Sequence, residues 1–279
     1  MKKYSILFLI ICIVSCNKDN NEVPCYISID DIQVNEYANS AGTNVTDAWV
    51  YINDNLQGVY ELPARFPVLA QGKQKLRIRA GIKDNGIAAT RVAYPFYSSF
   101  IIEDQDFSPE MEIMLEPVVS YIENTNFYSS YLIEDEGFEG NGINLEPTLI
   151  SDTTIIEITE GGNKYGAGIL TDSFMTFEIA TEELDSLPQQ GAPVYLELDY
   201  MSNTQFLVGL YVNFPQGAVL QKDLLWVTPK EEWNKIYINL TSSISESIGA
   251  ESFKVFIGMK RDFDQNINSM YFDNFKVVY

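Results

Sequence analysis

Short runs of alternating apolar and polar residues dominate this chain, and no segment of its first half keeps a helical period for three turns. The strictest run is Lys75-Leu76-Arg77-Ile78-Arg79-Ala80, which places Leu76 and Ile78 on one face of a strand and three cations on the other. Upstream, Tyr26–Ile29, Asp47–Ile52 and Leu56–Leu62 read as strands. The last two flank Asn53-Asp54-Asn55, residue types that tolerate left-handed backbone and so predict a hairpin. Pro63 and Pro67 bracket a bend, Lys83-Asp84-Asn85-Gly86 is a further turn, and Glu110–Leu115 closes the first set of strands.

The second half repeats the pattern. Val194–Tyr200, Gln205–Phe214, Leu224–Val227, Lys235–Leu240, Phe253–Met259 and Met270–Val278 are predicted strands separated by Gly, Pro and Asn. Ala180–Leu187 reads as one helical turn or a loop. The fold class expected is all-β, with two antiparallel β-sandwich domains over residues 25–119 and 120–279, the second a jelly roll.

The first residues follow a different rule. Lys2 and Lys3 precede an eleven-residue run, Tyr4–Val14, whose one polar member is Ser5. That is too short for a spanning helix, which needs roughly 17–25 residues, and suits the apolar core of a secretory signal. Residues 1–15 are therefore expected to be a signal peptide and 16–24 a tether. Ile13-Val14-Ser15-Cys16 resembles a bacterial lipobox, which implies lipid on Cys16 and membrane attachment through it. Lys18, Asp19 and Glu22 partly match the outward-export signal of Bacteroidota-type surface lipoproteins, with Asn20 and Asn21 interrupting the acids. The resemblance implies an outer-membrane, lipid-anchored protein at the cell surface, the periplasm-facing leaflet being the alternative.

Composition narrows the chemistry. With 18 Lys and Arg against 39 Asp and Glu, the net charge is −21, which repels nucleic acid and anionic membrane surfaces. Histidine is absent, which removes Ser-His-Asp and Cys-His catalysis and imidazole zinc sites. Of three cysteines, Cys12 leaves with the signal and Cys16 carries lipid, so Cys25 has no intramolecular disulfide partner. Any metal would be a hard cation such as calcium. Charge is also uneven along the chain: seven of the cations lie between Arg65 and Arg91, whereas Val92–Asn163 holds fifteen acids and no cation. Two solvated faces or a match between domains explains this most simply. A sharper alternative makes Arg65, Lys75, Arg77, Arg79 and Arg91 a patch for an anionic glycan or lipid phosphate.

Three family resemblances follow from quoted segments. DAWVYINDNLQGVYELPARFPVLAQGKQKLRIRAG is similar to PEGA-type and transthyretin-like domains. GIKDNGIAATRVAYPFY resembles a segment of uncharacterised Bacteroidota lipoproteins that continue into a second β domain. GFEGNGINLE, YLELDY, EWNKIYINL and YFDNFKVVY resemble the galactose-binding-like jelly roll of carbohydrate-binding modules. In many such modules a structural calcium joins the first strand to the last, and the matching positions are Glu139 and Asp273. A hydrogen-bonded turn without metal is the alternative.

Sugar recognition needs accessible aromatic faces. The candidates are Tyr94, Phe96, Tyr97 and Phe100, then Phe127, Tyr128 and Tyr131, then Trp226 and Trp233. Core packing is the expectation for most of them, and Trp233 is expected to pack inward at a strand start. An enzyme would need an acid pair, and Glu197 and Asp199 share one face of a predicted strand, about 6.5–7 Å apart. With this many acids a solvated polar face is the simpler reading, so no catalytic residue is assigned and no enzyme is expected. The chain reads as a noncatalytic envelope protein that binds an extracellular glycan or a partner protein. The second reading is a structural or accessory lipoprotein of a surface assembly, and a glycoside hydrolase comes third.

Overall fold

The computed structural model describes residues 23–35, 43–129 and 144–279. Cys16, Tyr131 and Glu139 lie outside the described residues. In chain order the first half contains β1 (Cys25–Ile29), β2 (Gln33–Val34), β3 (Asp47–Ile52), β4 (Asn55–Glu61), β5 (Ala64–Val68), β6 (Gly72–Lys83), β7 (Arg91–Ala93), β8 (Ser99–Phe107), β9 (Glu112–Leu115) and β10 (Val118–Val119). The second half contains β11 (Phe127–Ser129), β12 (Leu145–Pro147), β13 (Ile156–Glu160), β14 (Asn163–Leu170), β15 (Thr176–Thr181), β16 (Tyr195–Ser202), β17 (Phe206–Phe214), β18 (Ala218–Val227), β19 (Lys230–Asn239), helix α1 (Thr241–Ser245), β20 (Ser252–Lys260) and β21 (Asn268–Val278). The all-β expectation holds.

In the first half a five-stranded sheet, β4-β3-β6-β7 with β8 also on β6, faces the smaller sheet β5-β1-β9, and β2 pairs with β10. The turn between β3 and β4 is made by Asn53 (φ 47°) and Asp54 (φ 63°), both left-handed, as a two-residue hairpin of this hand requires. Alternation then decides the core. Ala48, Val50 and Ile52 of β3 and Leu76, Ile78, Ala80 and Ile82 of β6 are buried against Ile27, Ile29 and Phe66. Most pairings are antiparallel, but β1–β9 and β2–β10 are parallel. These short pairings hold the start of the first half to its end.

The second half is a sandwich of a six-stranded sheet, β13-β14-β21-β16-β19 with β11 on β21, and a five-stranded sheet, β12-β15-β20-β17-β18. The chain moves repeatedly from one sheet to the other, in the manner of a jelly roll. Leu196, Leu198, Phe206, Val208, Leu210, Val255, Ile257 and Phe272 fill the space between. Ala180–Leu187 is not helical: β15 runs to Thr181, and Leu184 bridges to Phe253. The helix is α1 instead, where the Ile244 N–H donates to the Leu240 carbonyl and both side chains are buried. Sequence reading placed β5 in a bend and passed over β7, β8 and β13–β15, whose apolar residues are too few or too glycine-spaced to alternate clearly.

Both halves share one buried boundary. Tyr195, Tyr237 and Val278, on the outer face of the six-stranded sheet, belong to the same apolar cluster as the first-half core. The turn at Asp84-Asn85-Gly86 docks on β19, an edge strand: the Asn85 N–H donates to the Tyr237 carbonyl at 2.9 Å, and Asp84 pairs with Tyr237 as a parallel bridge. The turn thus satisfies an edge that would otherwise offer unpaired backbone groups.

Close approach within the five-stranded sheet gives a direct test. A Cβ on Gly209 would lie 2.2 Å from Phe256 Cζ and 2.6 Å from the Lys222 carbonyl oxygen, and the latter is backbone and cannot turn aside. Gly209→Ala should therefore destabilise the fold by about 1–3 kcal/mol. A lowered urea midpoint is the expected result, and an unchanged midpoint would disprove the packing argument.

Candidate functional site

β16 places Glu197 and Asp199 on the outer face of the six-stranded sheet, as alternation predicts, but that face is not solvated. Both carboxylates have no exposed surface. The first half covers them. Tyr94 Oη donates to Glu197 Oε1 at 2.6 Å, and Tyr121 Oη lies 2.8 and 2.9 Å from the two Glu197 oxygens. On the second-half side, Lys235 Nζ is 3.3 Å from Glu197 Oε2 and 4.0 Å from Asp199 Oδ1, with 2% of the lysine side chain exposed. Asn274 Nδ2 donates to Asp199 Oδ2 at 2.7 Å. The expectation of a solvated polar face is corrected here, because alternation reveals a side of the sheet and not what packs on it.

Aromatic residues surround this network. Tyr94 meets Tyr97, Tyr237 and Tyr195 at ring-centroid separations of 4.7, 4.9 and 5.3 Å. Tyr97 and Tyr237 hydroxyls are 3.0 Å apart, and Asn239 Nδ2 donates to Tyr195 Oη at 2.9 Å. Burial raises the Tyr94 and Tyr195 phenols well above their usual range, and the adjacent carboxylates, Glu197 and Asp84 respectively, add to the effect. Tyr94, Phe96 and Tyr97 are accordingly buried core groups at the boundary, as expected for most of the aromatics. Phe127 packs on Tyr121, and Tyr128 stacks on Tyr279.

Beyond the covered part of that face, Trp233 makes an edge contact with Tyr165 at 5.2 Å, and Tyr165 touches Tyr271 at 5.9 Å. Strands β14 and β19 are separated by β21 and β16, so the two rings lean toward each other across the sheet. Trp233 sits within β19 and packs on the outer face, in contrast to the inward start-of-strand position expected. Asp273 is the register partner of Asp199 on this face. Its Oδ1 accepts the Asn274 N–H at 2.7 Å. Burial raises the pKa of Asp273 against the opposing influence of Asn274, Asn163 and Lys235, and it raises that of Asp199 against Lys235 and Asn274. Among the described residues no group of three or more Cys, Asp or Glu side chains is placed to hold a metal. Glu139, the other expected calcium ligand, lies outside the described residues.

The basic segment is largely neutralised by its own half. Arg91 pairs with buried Asp47 and with Glu61, Lys75 and Arg77 with Asp54, and Arg65 with Glu112. Arg77 also lies 4.4 Å from the Tyr51 ring centroid, and Arg65 4.1 Å from that of Tyr26. These pairs weaken the case for an anion patch there. On the opposite sheet Glu178 accepts from Tyr211 Oη at 2.6 Å and Thr148 Oγ1 at 2.8 Å, a buried carboxylate that sequence reading did not single out.

The notable concavity is a cleft of about 340 Å³ at the boundary, toward the small end of ligand pockets, which span roughly 300–1,000 Å³. Lys83, Asn85 and Ile87 contribute from the first half, and Trp226, Thr228 and Lys230 from the second. Trp226 is 48% exposed and differs in this from the boundary aromatics. Sequence reading named Trp226 but had no means of placing it beside the Lys83–Gly86 turn.

No protein-family model matches this chain, and no curated protein does. Solved structures do resemble it. One, from work on the promiscuous specificity of carbohydrate-binding modules of the β-sandwich superfamily, is 15% identical with a TM-score of 0.39, over 84% of this chain and 85% of that one. A family 29 carbohydrate-binding module complexed with mannohexaose is 10% identical with a TM-score of 0.34, over 56% of this chain and 91% of its own. The family 30 module of a Clostridium thermocellum cellulosomal cellulase is 18% identical with a TM-score of 0.33, over 47% and 85%. Similarity at this level carries no argument about a ligand, so function is argued from the side chains of this molecule.

Two outcomes follow from the buried carboxylates. Glu197→Ala leaves Lys235 and two tyrosine hydroxyls facing a void and should cost about 3–5 kcal/mol, measurable by denaturant unfolding. A loss below about 1 kcal/mol would show that the network contributes little to stability. Because the native Asp273 pKa is raised, the folded state holds more protons than the unfolded chain just above the ordinary carboxylate range. Its contribution is fully present in acid and is lost as pH rises through the folded pKa. Asp273→Asn should therefore match the parent near pH 3 and become the more stable of the two by roughly pH 7. Parallel urea curves for the two proteins across that range would refute the assignment.

Proposed function

We propose that this chain is a noncatalytic, lipid-anchored cell-envelope protein that binds an extracellular glycan in the cleft between its halves. The exposed ring of Trp226 on the wall of that cleft carries the reading. A sugar ring offers apolar C–H faces and a rim of hydroxyls, and the cleft supplies an accessible indole with amides and a threonine hydroxyl nearby. Absence of catalysis is favoured by the fate of Glu197 and Asp199. The one acid pair that suggested a glycosidase is sealed beneath the first half and held by Lys235, Tyr94, Tyr121 and Asn274. A hydrolase needs its carboxyl groups at the scissile bond.

The test is a glycan-array screen of the full chain in mild detergent, followed by titration of any hit. Trp226→Ala should weaken binding about tenfold or more, the loss expected for an aromatic anchor, while thermal unfolding stays unchanged. Silence across a broad array, or binding indifferent to Trp226, would overturn the proposal.

A further inference from the structure

The cleft differs in charge from the molecule that contains it. The chain carries 39 acids and 18 Lys and Arg, yet the cleft is lined by Lys83, Lys230 and Lys235 and by no aspartate or glutamate. Glu231 and Glu232, which follow Lys230, do not line it. Lys235 is occupied by Glu197 and Asp199. Lys83 and Lys230 are in a different position: among the described residues neither forms an ion pair. Lys73, Arg79, Lys222, Lys254 and Lys260 also form no ion pair among the described residues, but none of them lines the cleft.

Placement adds to composition. Lys83 ends β6 and is half-buried, whereas Lys230 begins β19 and is exposed. One comes from each wall. Asn85 gives its Oδ1 to the Asn239 N–H at 2.8 Å, which leaves its Nδ2 donor without a partner among the described residues. Two ammonium groups and an amide donor around an exposed indole form a set of donors, and such a set selects an acceptor-rich, negatively charged ligand with an apolar face.

We infer that the cleft takes an acidic saccharide, a sugar ring bearing a carboxylate or sulfate, with Lys83 and Lys230 on the anionic group and Trp226 against the ring. This rests on the glycan-binding reading above and specifies its ligand. The molecule's net charge repels polyanions at long range, so recognition depends on these short contacts. It also disfavours anionic polymers that lack a ring to place on Trp226.

The experiment titrates the full chain in mild detergent with four probes: a galacturonate tetramer, its neutral methyl ester, a sulfated chondroitin tetrasaccharide and a polyglutamate of similar charge. At least one acidic saccharide should bind about tenfold more tightly than the methyl ester, and polyglutamate should not compete. K83Q/K230Q should abolish that preference while leaving thermal unfolding unchanged, and the single variants should each lose part of it. Binding of galacturonate shows that a carboxylate suffices, whereas binding of the chondroitin tetrasaccharide alone, which carries carboxylates as well, shows that sulfate is required. Equal binding of acid and ester that still depends on Trp226 would overturn the inference and leave the glycan reading standing. An acid preference untouched by K83Q/K230Q, or matched by polyglutamate, would overturn it as well. No binding of any saccharide would overturn both.

Discussion

A carboxylate with no exposed surface is costly unless its partners are fixed, and Glu197 is such a group. Its partners come from both sides of the boundary: Tyr94 from the first half, Tyr121 from the segment that follows β10, and Lys235 from the second half. Pulling the halves apart would remove the Tyr94 donor and admit water to one side of an ion pair built for a dry site. Apolar contact acts in the same direction, since Tyr195, Tyr237 and Val278 are buried only because the first half lies on them. The polar network fixes the register of the boundary, and the aromatic cluster packs around it. Separate folding of either half would leave this surface uncovered.

The cleft depends on that boundary. Its two walls belong to different halves, and their spacing follows from the docking of Asp84-Asn85-Gly86 on the edge of β19. Asn85 (φ 57°) and Gly86 (φ 69°) are left-handed there, which lets the turn present Asn85 to the β19 backbone and Lys83 to the cleft. One short turn thus caps an edge strand, locks the halves together and positions a cation. A ligand spanning Lys83 and Lys230 would bind the joined state alone and so add to its stability by mass action.

Legibility in the sequence followed the range of each interaction. Strands whose alternation is strict, such as Lys75–Ala80, were readable because period two is a local property, and the Asn53-Asp54 turn was readable because left-handed backbone selects its residues. The side of the sheet that Glu197 and Asp199 occupy was equally clear. Its burial was not, since nothing near β16 in sequence indicates that Tyr94 and Tyr121 will cover it. Aromatic residues show the same limit: Tyr94 and Trp226 are alike as sequence features, and only the arrangement of two sandwiches makes one core and the other accessible.

Charge was the feature most open to misreading. The cation-rich stretch from Arg65 to Arg91 looked like a patch, and its density was indeed informative, but the acids that neutralise it lie at Asp47, Asp54, Glu61 and Glu112. Sheet pairing sets β3 directly beside that stretch and β4 and β9 one strand further away, so same-half ion pairs consume much of its charge. Lys83 falls outside this exchange because it sits at the end of β6, where the chain turns toward β19 instead of toward an acidic neighbour. Among the described residues, lack of an acidic partner is shared with Lys73, Arg79, Lys222, Lys254 and Lys260, so it is position that sets Lys83 and Lys230 apart. These two, on opposite walls of the same cleft and beside an exposed tryptophan, give the boundary a chemistry that neither half has alone.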